Sequence, residues 1–229
     1  MLCDLWHEAE SVTLAIFDLD NTLIGGDSDH LWSQFLVEEN IVNDADFAER
    51  GDRFHADYER GDLDIHAYLR YALGPLKGQP EPVLAEWHRQ FMRTRIRPVM
   101  LPRAAELLEQ HRAQGHVLLI ITATNHFITR PIADALGVDH LLACDAEILN
   151  GFYTGEPRGV PTFQAGKVTR LRQWLETRDI NLEGAWFYSD SHNDLPLLEL
   201  VDNPVAVDPD ERLRARAEAE GWPIISLRD

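Results

Sequence analysis

The sequence predicts an α/β fold: a doubly wound, Rossmann-like, mostly parallel sheet into which a helical domain is inserted. Three observations carry this. Short apolar runs of strand length alternate with segments of helical period. The run Val117-Leu118-Leu119-Ile120-Ile121 shows no polar alternation, as a strand covered on both faces requires. At 229 residues the chain is long for one ordinary domain and short for two, which fits a core with one sizeable insertion.

Val12-Thr13-Leu14-Ala15-Ile16-Phe17 reads as a buried strand running into the acidic pair Asp18 and Asp20. From about Gly25 to Val99 the pattern turns helical. Leu31, Phe35 and Leu36 share one spacing, as do Ile65, Leu69, Ala72 and Leu73, then Val83, Leu84, Trp87 and Phe91. Gly61, Gly74-Pro75 and Gly78-Gln79-Pro80 punctuate this stretch. Pro102 opens a helix that Gly115 stops, with the usual proline-first, glycine-last asymmetry. The strand Val117–Thr122 follows, then a helix through Ile132 and Leu136 ending at Gly137, and a short strand at Leu141–Cys144. Residues 148–166 carry glycines and aromatics without helical period and predict a hairpin-like excursion. Lys167–Leu175 is helical, Ala185–Ser189 a strand and Leu195–Val201 a helix. Val205–Val207 and Ile224–Ile225 are final strands around an Arg- and Glu-rich surface helix.

Composition narrows the function classes. An apolar share of 45% supports a packed core. The net charge of -18, with 21 basic residues scattered among 39 acidic ones, excludes a nucleic-acid partner, which needs clustered Lys and Arg. Cys3 and Cys144 lie far apart in no metal-ligand spacing, so no disulfide framework is expected. Acids in Met1–Glu8 stand where a leader would need basic and then apolar residues. The longest apolar run is far too short to span a membrane. A soluble, cytoplasmic protein is expected.

In doubly wound sheets ligands bind beyond the carboxyl ends of the strands. Asp18, Asp20, Asn21 and Thr22 follow the first strand. Thr122, Thr124 and Asn125 follow the second. Asp190, Asn193 and Asp194 follow the one at Trp186, and a helix begins at Gly166-Lys167. Aspartates gathered at one cleft repel unless a hard cation joins them. Without a His or Cys cluster, few carboxylates plus open positions for water and phosphate suit Mg²⁺ rather than Zn²⁺. Thr122 is placed to donate a hydrogen bond to a bound phosphate, and Lys167 to neutralise one of its oxygens. Asp18 and Asp20, two apart on extended chain, point the same way, one as nucleophile and one as proton donor. Each residue alone has a plain structural reading as a cap or a solvated surface charge; their joint order argues otherwise. A helix-loop-helix calcium site fails, because its sixth position is Leu23 rather than Gly and its twelfth is Asp29 rather than Glu.

Asp18-Leu19-Asp20-Asn21-Thr22, Thr122 ending its strand, Lys167, and Asp190-Ser191-His192-Asn193-Asp194 stand in one order across nearly the whole chain. In this the sequence resembles the haloacid-dehalogenase-type phosphatases, in the branch containing phosphoserine phosphatase. The Ser-Asp-Ser-x-Asn-Asp form, where many relatives have Gly-Asp-Gly, is similar to a bacterial subgroup that includes histidinol-phosphate phosphatases. The resemblance implies that Asp18 attacks phosphorus and binds Mg²⁺. It implies that Asp20 serves as acid and base and lends its main-chain carbonyl to the metal, and that Asp190 completes the protein ligands. Thr122, Lys167 and Asn193 would hold the phosphate beside Ala123, and Asp194 would support them. Residues 27–99 would form a cap over a core of residues 1–26 and 100–229. His192 receives no role.

The resemblance also bears on the substrate. Nine positions after the nucleophile, where phosphoserine phosphatases bind the substrate amine with a glutamate, this chain has Asp27, with Asp29 and His30 close by. The arginine that binds a substrate carboxylate falls on Ala72, with Arg70 two residues earlier. An amine site without a carboxylate site implies L-histidinol phosphate before phosphoserine. The bland reading of Asp27 is a hinge residue after Gly25-Gly26, and that of Trp32, Tyr68, Trp87 and Phe91 is core. Two alternatives share the motifs: a phosphotransferase to a small alcohol, and a non-catalytic acidic binding protein.

Overall fold

The computed structural model describes residues 12–42 and 46–228. Cys3 and the stretch Met1–Glu8, on which the disulfide and leader expectations partly rest, lie outside the described residues. Strand β1 (Leu14–Phe17) is followed by helices α1 (Ser28–Glu38), α2 (Phe47–Arg60), α3 (Ile65–Leu73) and α4 (Glu81–Phe91). A short π-helical turn and two 3₁₀ turns complete this insertion. Then come α5 (Pro102–Ala113), β2 (Val117–Asn125), α6 (His126–Leu136), β3 (His140–Leu149), β4 (Phe152–Arg158), α7 (Ala165–Leu175), β5 (Trp186–Ser189), α8 (Leu195–Leu198), β6 (Asn203–Val207), α9 (Glu211–Glu220) and β7 (Ile224–Ile225).

These strands form one sheet in the order β4-β3-β2-β1-β5-β6-β7, parallel throughout except for β4 against β3. The chain builds outward from β1 on one side and then returns to its other side. The strand order therefore switches at β1, the position where such sheets bind ligands. Register makes this useful. Phe17 pairs with Ile120 of β2 and with Tyr188 of β5, so Asp18, Thr122 and Asp190 leave neighbouring strands at nearly one level.

All four β1 residues are fully buried because both faces are covered. Leu14 and Ile16 pack with Leu119, Ile121, Leu171 and Phe187 on one face. Ala15 and Phe17 pack on the other with Leu118, Ile120, Tyr188 and the insertion's Trp32, Phe35, Leu73 and Phe91. That face of the sheet and the insertion share one continuous apolar cluster. Ile24 bridges Met100 antiparallel, and Gly25 N–H donates to Val99 O at 2.7 Å, so the chain enters and leaves the insertion side by side.

Several boundaries differ from the sequence reading. The strand expected at Val117–Thr122 runs on to Asn125, and the one at Leu141–Cys144 to Leu149. The hairpin-like excursion is a true hairpin, but it extends the sheet as its antiparallel edge. The helix expected over Leu195–Val201 is only the single turn α8, preceded by a 3₁₀ turn at His192–Asp194. Helix α2 falls within the stretch read as helical, and of its residues only Phe47 is buried. No helix among the described residues is long and apolar enough to cross a membrane.

Candidate active site

The loop after β1 closes tightly. The main-chain oxygen of Leu19 accepts from the N–H groups of Thr22, Leu23 and Ile24, Asn21 takes a left-handed φ of 56°, and Leu19, Leu23 and Ile24 are buried beneath. Asp18 N–H donates to Tyr188 O at 2.9 Å, which ties the start of this loop to β5.

Lys167 connects the strand ends. Its Nζ donates to Asp18 Oδ1 at 2.8 Å and to Asp194 Oδ2 at 2.7 Å, and all three side chains are buried. Ser189 Oγ donates to the same Asp194 oxygen at 2.7 Å. Lys167 reaches this position because α7 starts tight against the preceding loop. A Cβ at Gly166 would sit 2.0 Å from Pro161 O, so only glycine fits there. Burial opposes the ammonium charge, but the charges of Asp18 and Asp194 prevail and hold Lys167 protonated well above its usual range. Burial pushes the Asp18 carboxyl up to about 7 against the opposing pull of Lys167, with Asp194 and Asp20 adding to the rise.

Asp20 is held differently. Its Oδ1 accepts from Ser28 N–H at 2.7 Å, and its Oδ2 from Thr124 Oγ1 at 2.8 Å and Thr122 Oγ1 at 3.4 Å. Burial, then the charge of Asp27, raises its carboxyl to about 6. Thr122 thus acts between Asp20 and Thr124, whose N–H donates to Thr122 Oγ1 at 3.2 Å.

A cavity of about 500 Å³ opens on this set. Asp18, Asp20, Thr122, Ala123, Thr124 and Asp190 line one wall. The opposite wall comes from the insertion and includes Asp27, Asp29, His30, Phe54, His55, Tyr58 and Tyr68. No lysine or arginine lines it among the described residues. Asp29 is buried, within hydrogen-bonding contact of Tyr68 and 3.5 Å from Asn125 Nδ2. Burial and then the charge of Asp27 push its carboxyl well up. Asp27 caps α1 by accepting from His30 N–H at 2.9 Å and lies 3.4 Å from His55 Nδ1. Burial opposes its charge, yet these partners keep it below the usual carboxylate range.

The structure brings together Asp18, Asp20, Asp27, Asp29, His30, Thr122, Ala123 and Asp190 in the cavity wall, with Lys167 and Asp194 joined to them through Asp18. It does not bring in Arg70 or Asn193. Arg70 is exposed and pairs with Glu156 of β4 at 2.9 Å, because its face of α3 turns to the hairpin. The Asn193 side chain is engaged elsewhere, by Tyr58 O and Gln164. Tyr68 lines the cavity, whereas Trp32 and Phe91 are core as read. His192, without a role in the sequence, lines the cavity with Nδ1 2.8 Å from Asp210. Sequence reasoning missed His55 and Tyr58, although Tyr58 stands in helical step with Phe47 and Phe54, a signal that marks it as inward-facing.

The donor set fits a hard divalent cation. Asp18, Asp190 and Asp194 bring three carboxylates to the single ammonium of Lys167, and burial together with Asp18 raises Asp190. Among the described residues no three His, Cys, Asp or Glu side chains form a complete ligand group. The side chains alone thus supply part of a coordination shell, which water and a phosphate oxygen would complete.

Residues 15–199 match the family model of the haloacid dehalogenase-like hydrolases. The chain belongs to that family. A histidinol-phosphatase of Neisseria meningitidis serogroup C (strain 8013) is 43% identical over 219 residues, covering 94% of this chain and 99% of the relative. A crystal structure of a protein of unknown function from Bordetella pertussis Tohama I superposes with a TM-score of 0.88 at 42% identity, over 95% of this chain and 99% of that one. A phospho-aspartyl intermediate analogue of phosphoserine phosphatase superposes at 0.68 with 20% identity over 96% and 95%, a likeness of fold alone. Within the family the chain stands with the phosphatases.

Proposed function

We propose that this hydrolase is a magnesium-dependent phosphomonoesterase acting through an aspartyl phosphate on a small phosphorylated amine that lacks a carboxylate, with L-histidinol phosphate the best fit. One observation carries this reading. The Asp18 carboxylate, gripped by Lys167 at the sheet's switch point, opens onto an acidic cavity with no lysine or arginine in its wall among the described residues.

An Asp18 oxygen attacks phosphorus as the ester P–O bond breaks, and Asp20 gives its proton to the departing alkoxide. Water then attacks the aspartyl phosphate, returning its proton to Asp20 and freeing phosphate and Asp18. Ser28 N–H and Thr124 Oγ1 fix the Asp20 carboxyl for both steps. Asp18, Asp190 and the Asp20 main-chain oxygen would hold Mg²⁺, which draws charge from the phosphoryl oxygens when bound. Residues 27–99 act as the cap that keeps bulk water out.

The acidic far wall selects the leaving group. An ammonium or imidazolium finds Asp27 and Asp29 there, whereas a carboxylate would lie among like charges with no cation to meet it. The name of the 43% identical relative supports the same class. Turnover of L-histidinol phosphate and L-phosphoserine by the purified protein with Mg²⁺ is the test. A kcat/KM at least about tenfold higher for histidinol phosphate is expected, and a preference for phosphoserine overturns the substrate assignment.

A further inference from the structure

Helix α2 is a weakly buried, polar helix that nonetheless delivers a side chain to the catalytic end of the cavity. Among its residues only Phe47 is buried. Near its other end Tyr58 lines the same cavity as Asp18 and Asp190 and is in hydrogen-bonding contact with Ser191. Ring contacts of Phe47 and Phe54 with Tyr71, and of Tyr58 with Phe163, hold the helix along its length, and something more holds its last turn.

The C-terminal turn of α2 shows what does. Gly61 ends the helix in the left-handed conformation, at φ 81°. The last carbonyls of a helix lack onward partners of their own. Three carbonyls of this turn are met by side chains from outside the insertion. Asn193 Nδ2 donates to Tyr58 O at 3.0 Å, Arg212 Nη1 to Arg60 O at 3.0 Å, and Gln164 Nε2 to Gly61 O at 3.3 Å.

The receiving side chains are themselves linked. Gln164 Nε2 also donates to Asn193 Oδ1 at 2.9 Å. His192 places Nδ1 2.8 Å from Asp210 Oδ2; with the proton on that nitrogen, Nε2 accepts from Arg212 Nη1 at 3.2 Å and orients the guanidinium. Gln164 holds φ 47° and ψ -125°, a strained backbone for any residue with a Cβ, and its side chain makes no cap for α7. Strain of that kind persists where the surroundings demand the residue's placement, and here the placement aims its amide at Gly61 and Asn193.

We propose that the C-terminal turn of α2 is a catch received by Gln164, Asn193 and Arg212, and that it sets the Tyr58 hydroxyl at the phosphate end of the cavity as a hydrogen-bond donor to the substrate's phosphoryl oxygens. Tyr58 is the substrate-touching residue, and the three receivers are positioning residues. The catch couples the loop bearing Asp190 and Asp194 to the insertion, so the far wall is seated only when Asn193 is engaged. The role of Tyr58 rests on reading this cavity as the phosphatase site, whereas the catch itself does not.

Three variants test it: Gln164→Gly, which removes the amide while accepting the positive φ, Arg212→Ala on the separate helix α9, and Tyr58→Phe. Amide exchange is followed across residues 56–62 and, as an internal reference, across β1. Hydrolysis of 4-nitrophenyl phosphate with Mg²⁺ and its inhibition by inorganic phosphate are followed in parallel. Gln164→Gly and Arg212→Ala are each expected to speed exchange at 56–62 about fivefold with β1 unchanged, the scale of one lost hydrogen bond, and to lower kcat/KM by a similar factor. Tyr58→Phe is expected to leave exchange unchanged while lowering kcat/KM and weakening inorganic-phosphate inhibition, each about tenfold. Unchanged exchange in both catch variants overturns the catch. A Tyr58→Phe protein with native kcat/KM and native phosphate inhibition overturns the role of the hydroxyl. Should the unaltered protein hydrolyse no phosphate ester, the phosphatase reading falls, and the catch is still decided by the exchange rates.

Discussion

The two walls of the cavity are built on opposite physical terms. The wall of strand ends is placed by main-chain register: β1, β2 and β5 are locked in step, and Asp18, Thr122 and Asp190 follow from where those strands stop. Its charges are buried and joined, with Lys167 between two aspartates. The wall from the insertion is placed by helix surfaces. Its polar groups are capped or paired locally, as Asp27 is by His30 N–H and His55, and α2 is anchored by Phe47 in the core at one end and by its carbonyls at the other. The contrast teaches a division of labour. Rigid register suits groups that must meet a reacting phosphorus within a few tenths of an ångström, and helix surfaces suit groups that choose what the phosphorus is attached to.

The strongest test of this division is Asp18→Asn. It should lower kcat at least about ten-thousandfold for every phosphate ester while leaving the far-ultraviolet circular dichroism native. A residual rate within tenfold of the parent would mean that the strand-end wall does not carry the chemistry. Next, Asp190→Asn should cost at least about a hundredfold in kcat/KM and abolish the rise in melting temperature that Mg²⁺ gives the parent, while chelation should silence the parent reversibly. A Mg²⁺-dependent melting shift that survives in Asp190→Asn would remove that residue from the cation site.

Tyr58 apart, the far wall should respond to substrate rather than to chemistry. Asp29→Asn is expected to raise KM for an amine-bearing phosphate by about ten- to a hundredfold, the worth of a charge-assisted hydrogen bond, with 4-nitrophenyl phosphate turned over as before. Equal losses on both substrates would erase the distinction between the walls.

The smallest effect concerns pH. The hydrogen bond to Asp27 holds His55 above its ordinary 6.5, against burial, and the charge of Asp27 adds to it. A raised folded value means that this contribution is fully present below pH 6.5 and is lost as pH rises through the raised value. Melting followed from pH 6 upward should show that decline in the parent and a flatter profile in His55→Gln. Identical profiles would show that the Asp27–His55 pair does not hold the insertion.

Legibility in the sequence divided along the same line. The strand runs at Ile16, Ile120 and Phe187 were plain because a parallel strand buried on both faces must be apolar without interruption. The residues after them could then be gathered by the rule for strand ends. The longer course of β3 and β4 was not plain, because Ile148, Leu149 and Phe152 lie exposed at the sheet edge and carry no alternation. Phe47, Phe54 and Tyr58 of α2 stand at helical spacing, but nothing in their order says that His55 and Tyr58 turn toward the strand ends. Arg70 and Asn193 show the limit from the other side. Asn193 lies at the expected place along the chain and Arg70 two residues short of it, but Arg70 pairs outward with Glu156 and Asn193 grips the end of α2.

The sequence by itself determined the α/β class, the order of the strand-end motifs and the hard-cation character of the donors, because burial pattern and side-chain chemistry are local properties. The tertiary structure alone decided which insertion residues line the cavity. A helix has one sequence but several faces, and the choice among them follows from packing against a distant sheet and from carbonyls that find partners more than a hundred residues away.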